Sequence, residues 1–250
     1  MPAHALECEP RTHIGLVRAT NQDFLESFPE QGVFLLADGM GGHRAGETAS
    51  RIAVEAASEA LLGAQKRIGA DDLEGLLRVG QAVEASNHAV RAAVERDPAL
   101  AGMGTTLVLG MRGGSRLFFA HVGDSRLYRL RDGILQRLTR DHSLVQELLD
   151  KGLFGDRAEA HAAGIGDNIL TRGIGLEPEV EVDVAHTDLQ PDDIYLACSD
   201  GLTGGLTDKE IGGIMLAHPD LGLMADALLD AALQAGGRDN ISLILVRPRF

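Results

Sequence analysis

Four aspartates stand where apolar, strand-like runs give way to turns. They are Asp38 in Leu35-Leu-Ala-Asp-Gly-Met-Gly-Gly42, Asp124 after Phe118-Phe-Ala-His-Val-Gly123, Asp200 in Leu196-Ala-Cys-Ser-Asp-Gly-Leu202, and Asp239 in Gly237-Arg-Asp-Asn-Ile-Ser242. A carboxylate at the end of a buried strand is costly to desolvate unless it is paired, hydrogen-bonded or bound to a cation. Carboxylates converging from distant segments also repel one another, and bound cations would keep them all ionised. An all-oxygen donor set suits hard divalent ions, Mg²⁺ or Mn²⁺. Taken singly, each Asp-Gly also reads as a plain turn, because both residues favour turns for local reasons.

The elements that would position these aspartates follow from periodicity. Strand-like runs lie at residues 13–17, 33–37, 105–111, 116–122, 126–130, 194–198 and 241–246, with Arg112-Gly-Gly-Ser115 as a hairpin turn. Helical spacing marks residues 46–67, where Ala49, Ile52, Ala53, Ala56, Ala60 and Leu61 share a face, and residues 71–96. Shorter helices are expected at 143–151, 208–217 and 221–235. Strands come in groups with helices inserted in pairs, not in strict alternation, which predicts antiparallel sheets covered by helices.

Composition narrows the function classes. The chain has 250 residues and a formal net charge of −14, a field that repels nucleic acid and anionic lipid in the absence of a basic cluster, and none is visible along the sequence. The apolar runs fall well short of the roughly 20 residues a membrane-spanning helix needs. No secretion signal is visible at the start, so a cytoplasmic location is expected. Cys8 and Cys198 form no spaced framework and read as reduced thiols. No linker or repeat interrupts the chain, so residues 1–250 are expected to form one domain.

Order adds what single motifs lack. Arg18-x-x-Asn21-Gln-Asp23, Asp38-Gly-Met-Gly-Gly-His43, Gly104-Thr-Thr106, Val122-Gly-Asp-Ser-Arg126, Asp141-His-Ser143, Ser199-Asp-Gly-Leu202 and Arg238-Asp-Asn240 follow one another as in the metal-dependent protein phosphatases of the PP2C (PPM) family. In this series the chain resembles the compact bacterial form of that family, over nearly its whole length. The resemblance implies an α+β fold, an α-β-β-α sandwich of two antiparallel sheets flanked by helix pairs. It also implies hydrolysis of phosphoserine and phosphothreonine in proteins by a metal-activated water, opposing a bacterial Ser/Thr kinase, by a monomer without nucleic-acid or membrane partners.

The resemblance carries roles to particular residues. Asp38 would bridge two Mn²⁺ or Mg²⁺ ions, the carbonyl of Gly39 would ligate one, and Asp200 and Asp239 would complete the set. Asp124 would help Asp200 hold a third, weaker ion. Arg18 would grip the substrate phosphate through paired guanidinium hydrogen bonds. Asp23 could support a metal through water, whereas Gln22 puts an amide where a variant of the motif has a carboxylate. Asn240 belongs to the last motif without an assigned role. Met40 stands where many members carry a histidine that acts as general acid, and His43 is the nearby alternative donor. Residues 141–175 correspond to the flap beside the metals.

Two other readings stay open on the residues alone: a catalytically dead module that holds a partner with the same fold, and a hydrolase of small phosphoesters. No cysteine-phosphatase loop, Gly-x4-Gly-Lys-[Ser/Thr] loop or His-Glu-x-x-His helix occurs in the chain.

Overall fold

The computed structural model describes residues 5–41, 45–63, 72–166 and 169–250. Strands β1 (Leu6–His13), β2 (Asp23–Phe28) and β3 (Val33–Met40) come first, followed by helices α1 (Ala45–Gly63) and α2 (Asp72–Arg96). Next come β4 (Gly104–Thr105), β5 (Leu107–Gly113), β6 (Arg116–Val122), β7 (Arg126–Arg131) and β8 (Ile134–Arg137). Helices α3 (Leu144–Asp150) and α4 (Arg157–Ala162) precede β9 (Asp183–Asp188) and β10 (Ile194–Cys198). Helices α5 (Asp200–Thr203), α6 (Asp208–Ala217) and α7 (Leu221–Gln234) lead to β11 (Ile241–Pro248).

The strands form two antiparallel sheets, ordered β1-β11-β10-β7-β8 and β2-β3-β5-β6-β9, with β4 paired to β3. Period-two alternation splits each inner strand between two cores. On β3, Val33, Leu35 and Ala37 pack under α1 and α2 with Ala49, Ala53, Ala57 and Leu61. Phe34 and Leu36 instead enter the layer between the sheets, where they meet Leu117, Tyr195 and Ile244. On the other side, Leu196, Leu243 and Leu245 pack with Ile211, Met224 and Leu228 from α6 and α7. Helices therefore cover both outer faces of the double sheet, and the α-β-β-α sandwich is the observed architecture.

The expected strands at 116–122 and 194–198 have the observed bounds, as does the helix at 208–217. The strand expected at 13–17 is a correction: β1 ends at His13, and Leu16 and Val17 stand exposed in the following loop. Leu16 is held there by its N–H donating to the Gly237 carbonyl at 2.6 Å, so its apolar character does not mark a strand. The face expected on α1 is also rotated. Ala49, Ala53, Ala57 and Leu61 are buried, whereas Ala60 is exposed. The expected extension of that helix from 64 to 67 lies outside the described residues. No helix among the described residues is long and apolar enough to cross a membrane.

The layer between the sheets is tight. A Cβ on Gly110 of β5 would come within 2.2 Å of the Phe34 ring. Gly110→Ala is expected to lower the unfolding free energy by about 1–3 kcal/mol through overpacking. Urea denaturation measures this, and an unchanged midpoint would show that Phe34 yields without cost.

Candidate functional site

The strand parity that fills the inner layer also determines what stands at its end. Asp38 follows Phe34 and Leu36 on the same face of β3, and Asp23 of β2 is its cross-strand partner. On the facing sheet, Ser199 follows Tyr195 and Ala197, while Ser242 precedes Ile244 and Val246. The Asp23 carboxylate accepts from the Ser199 hydroxyl at 2.9 Å, which links the two sheets at this edge. Asp23 and Asp200 are both near enough to Asp38 for their charges to oppose its ionisation.

Each segment is held by close backbone approach or a side-chain bond. The Asp38 N–H donates to the Thr106 hydroxyl at 2.9 Å, and the Asp38 carbonyl accepts from the Thr105 hydroxyl at 2.8 Å and the Thr106 N–H at 2.9 Å. A side chain at Gly39 would strike the Gly46 carbonyl oxygen at 2.1 Å, so glycine is required where β3 passes the start of α1. Gly201 is likewise forced, since a Cβ there would lie 1.9 Å from the Asn240 carbonyl oxygen; this approach sets Asp200 beside the Asp239-Asn240 turn.

Asn240 is a brace. Its Oδ1 accepts from the Gln22 N–H at 2.8 Å, and its Nδ2 donates to the carbonyls of Ile14 and Thr20, both at 2.9 Å. The loop that carries Arg18 is thereby tied to β11. Gln22 turns its amide toward Gly41, donating to that carbonyl at 3.3 Å, while its own carbonyl accepts from Gly39 N–H and the Ser50 hydroxyl. Arg18 Nη2 donates to Asp239 Oδ2 at 2.6 Å, and the other Asp239 oxygen takes the Asn240 N–H at 2.8 Å. Met40 ends β3, and its methyl group lies beside Gly173. His43 lies outside the described residues.

The electrostatics of the cluster are those of carboxylates lacking counter-charge. Burial pushes Asp38 well above the usual carboxylate range, and Asp23, Asp200 and Asp124 add like-charge repulsion. Burial likewise raises Asp23 to about 6 and Asp124 to about 7, the latter also opposed by Asp200 and Asp141. Asp200 is raised by burial and by Asp239. Asp23 Oδ1 and Asp200 Oδ1 are buried with no hydrogen-bond partner among the described residues. Orphaned carboxylate oxygens in an all-oxygen set fit hard divalent cations. Beside Asp124 and Asp200 opens a cavity of about 310 Å³, whose far wall is made by Arg126, Arg137 and Arg157 around Asp141. This basic group is invisible along the sequence because its members come from separate elements. Asp141 is buried, yet the three arginines hold its carboxyl below the usual range.

A double-sheet sandwich with an acidic, all-oxygen centre at one edge defines the class of metal-dependent phosphatases. The sequence profile of protein phosphatase 2C matches residues 16–220. The serine/threonine phosphatase stp of Listeria monocytogenes is 38% identical over 245 residues, covering 96% of this chain and 95% of that protein. The Mycobacterium tuberculosis serine/threonine phosphatase PstP superposes with a TM-score of 0.88 at 36% identity, over 98% of this chain and 100% of the other. A second structure, the catalytic domain of PstP in complex with two manganese ions, matches with a TM-score of 0.85 at 37% identity, over 97% and 98% of the two chains. The chain belongs to the protein phosphatase 2C family and is a protein-serine/threonine phosphatase.

The raised carboxyls give a pH signature to the metal-free protein. They keep their protons to higher pH than the unfolded chain does, whose aspartates titrate near about 4. The folded state therefore binds more protons between about pH 4 and 7, and stability falls as the pH rises through that window. Thermal melts in excess chelator are expected to show a falling Tm from pH 5 to 7.5, with a shallower fall in Asp38→Asn. A Tm that rises across this range would contradict the assigned burial of the cluster.

Proposed function

We propose that the chain hydrolyses phosphoserine and phosphothreonine in proteins at the edge of the inner layer, with Asp38, the Gly39 carbonyl, Asp200 and Asp239 holding two Mn²⁺ or Mg²⁺ ions. The observation that carries this reading is the convergence of Asp23, Asp38 and Asp200 with two buried carboxylate oxygens left unpartnered among the described residues. When bound, the ions would supply an acidified water for in-line attack and positive charge for the phosphoryl oxygens.

The chain's own residues do the rest. Asp38, with its peptide fixed by Thr105 and Thr106, is held in one orientation before any ion arrives. Asp23 keeps one oxygen on Ser199 and offers the other toward the centre. Arg18 pairs with Asp239 and is half exposed; ligation of Asp239 would free its planar guanidinium to take two oxygens of the substrate phosphate. Gln22 serves the turn at Gly41 rather than the ions. Asp124 and Asp200, facing the same cavity, would hold a third, weaker ion with room for the waters that such an ion retains. Residues 1–250 form one catalytic domain with a flap at 141–175, and the enzyme is a cytoplasmic monomer opposing a Ser/Thr kinase.

Asp38→Asn and Asp239→Asn are expected to stay folded and to lose nearly all phosphopeptide hydrolysis, and excess chelator should do the same to the parent protein. Full turnover in chelator would defeat the metal assignment. Asp124→Ala should retain tight Mn²⁺ binding by calorimetry while phosphopeptide turnover falls at least roughly tenfold, a floor beneath the roughly 10²–10⁴-fold that water on the weaker ion would contribute as a general acid to the leaving oxygen. Normal turnover of this variant across a Mn²⁺ titration would remove Asp124 from the mechanism.

A further inference from the structure

A second group of potential ligands lies on the far side of Asp124. His121 on β6 and Asp183 on β9 are cross-strand partners, and the His142 ring stacks on His121 with centroids 4.6 Å apart and planes 22° from parallel. One ligand atom from each residue falls within 4.8 Å of the others. Hydrogen-bond directions decide what the group does. His121 Nε2 lies 2.7 Å from the Arg140 carbonyl oxygen and so carries the ring proton. His142 Nδ1 accepts the Gly123 N–H at 3.2 Å, which places the proton of that neutral ring on Nε2. Nε2 lies 3.4 Å from both Asp183 Oδ2 and Arg172 Nη1; with the Gly123 N–H taken at Nδ1, the Nε2 proton goes to Asp183, whose Oδ1 accepts from Arg172 Nη1 at 3.0 Å. With one nitrogen protonated and the other engaged, His142 has no lone pair to give a cation, and the group is not a metal centre in this arrangement.

The same bonds grip the peptide that leads into Asp124. Gly123 gives its N–H to the His142 ring, and its carbonyl accepts the His142 backbone N–H at 2.9 Å, so one residue holds the peptide groups on both sides of the Gly123 Cα. Gly123 has a φ of +101°, open to glycine but rarely to other residues, and a Cβ there would strike Thr106 at 2.6 Å. Thr106 in turn bonds the Asp38 N–H and the Ser125 hydroxyl. The His142 carbonyl accepts the Thr171 N–H at 2.9 Å, next to Arg172, where the flap segment returns to the sandwich.

We infer that His142 is a positioning residue for Asp124, holding the Gly123 peptide through Nδ1 while Nε2, through Asp183 and Arg172, ties that peptide to the end of the flap segment. The inference rests on the assignment of Asp124 to the weaker ion.

Three substitutions separate the two ends of the ring. Asn places an oxygen where Nδ1 stands and keeps the acceptor for Gly123 without reaching Asp183. Gln places its polar end near Nε2 and gives up Gly123. Leu gives up both. In the metal-free protein, hydrogen exchange should find the Gly123 amide protected in the parent and in His142→Asn, and unprotected in His142→Gln and His142→Leu. In Mn²⁺ titrations by calorimetry, the tight sites should be unchanged in all three, whereas the weak site should weaken roughly tenfold or more in the Gln and Leu variants only, the scale for partners that orient metal ligands. A parent-like weak site in His142→Gln, or an equal loss in His142→Asn and His142→Leu, overturns the positioning role. Asp124→Ala distinguishes the two readings. If it leaves the weak isotherm in place, the assignment of Asp124 falls and the inference with it. If it removes the isotherm while His142→Gln does not shift it, only the inference falls.

Discussion

Repulsion among Asp23, Asp38, Asp124 and Asp200 is the constraint on which the rest of the arrangement depends. Burial and mutual proximity raise all four above the ordinary carboxylate range, and none has an ion-pair partner among the described residues. Left to local preferences, such carboxyls would rotate or shift toward water. They are prevented by backbone fixtures: Thr105 and Thr106 on the Asp38 peptide, the contact of Gly201 with the Asn240 carbonyl, the Gly123 turn against Thr106, and the Ser199 hydroxyl on Asp23. The hydrophobic layers on either side are what make these fixtures rigid, because the strands that bear them are buried on both faces. Stability is thus spent in building an acidic centre that bound cations relieve at neutral pH.

The same double burial explains which strands were legible. The runs at 33–37, 105–111, 116–122, 126–130, 194–198 and 241–246 all belong to strands with neighbours on both sides, β3, β5, β6, β7, β10 and β11. Buried above and below, five of them are rich in Val, Leu, Ile and Phe and stand out as apolar blocks, whereas β7 alternates arginine with Leu and Tyr. The four strands that the apolar pattern misses, β1, β2, β8 and β9, are the four sheet edges. Leu6-Glu-Cys-Glu-Pro-Arg-Thr-His13 and Asp183-Val-Ala-His-Thr-Asp188 are half exposed and charged, as edges that must not recruit further strands are. Their pairing is imposed by the sheet rather than announced by composition.

At the site, residue types were legible and interactions were not. The aspartates could be found because each follows an apolar strand end, a local signal. The Arg18–Asp239 pair joins positions 221 residues apart, and the brace from Asn240 to Ile14, Thr20 and Gln22 is as remote. Nothing local to Asn240 distinguishes a brace from a ligand or a surface amide. Thr106 and Ser199 were visible only as members of motifs; that one bonds the Asp38 N–H and the other the Asp23 carboxylate depends on which strands become neighbours. The arginines around Asp141 show the same limit, since a basic cluster assembled from β7, β8 and α4 leaves no charge run along the chain.

The position of Met40 connects these points to the chemistry of the leaving group. Met40 ends the strand that delivers Asp38, paired to Gly104, with its methyl against Gly173. A thioether there donates no proton. His142, which follows Asp141 and abuts the loop bearing Asp124, is kept neutral with a pKa lowered to about 4 by burial, by His121 and by Arg172, and its N–H is directed at Asp183. It therefore carries no extra proton to give as an acid at neutral pH. Asp124 is the group whose carboxyl, raised to about 7, opens on the cavity shared with Asp200. At the end of β3 an apolar contact from Met40 to Gly173 thus stands where no proton can be given, while Gly123, Thr106 and His142 together fix the turn that bears Asp124.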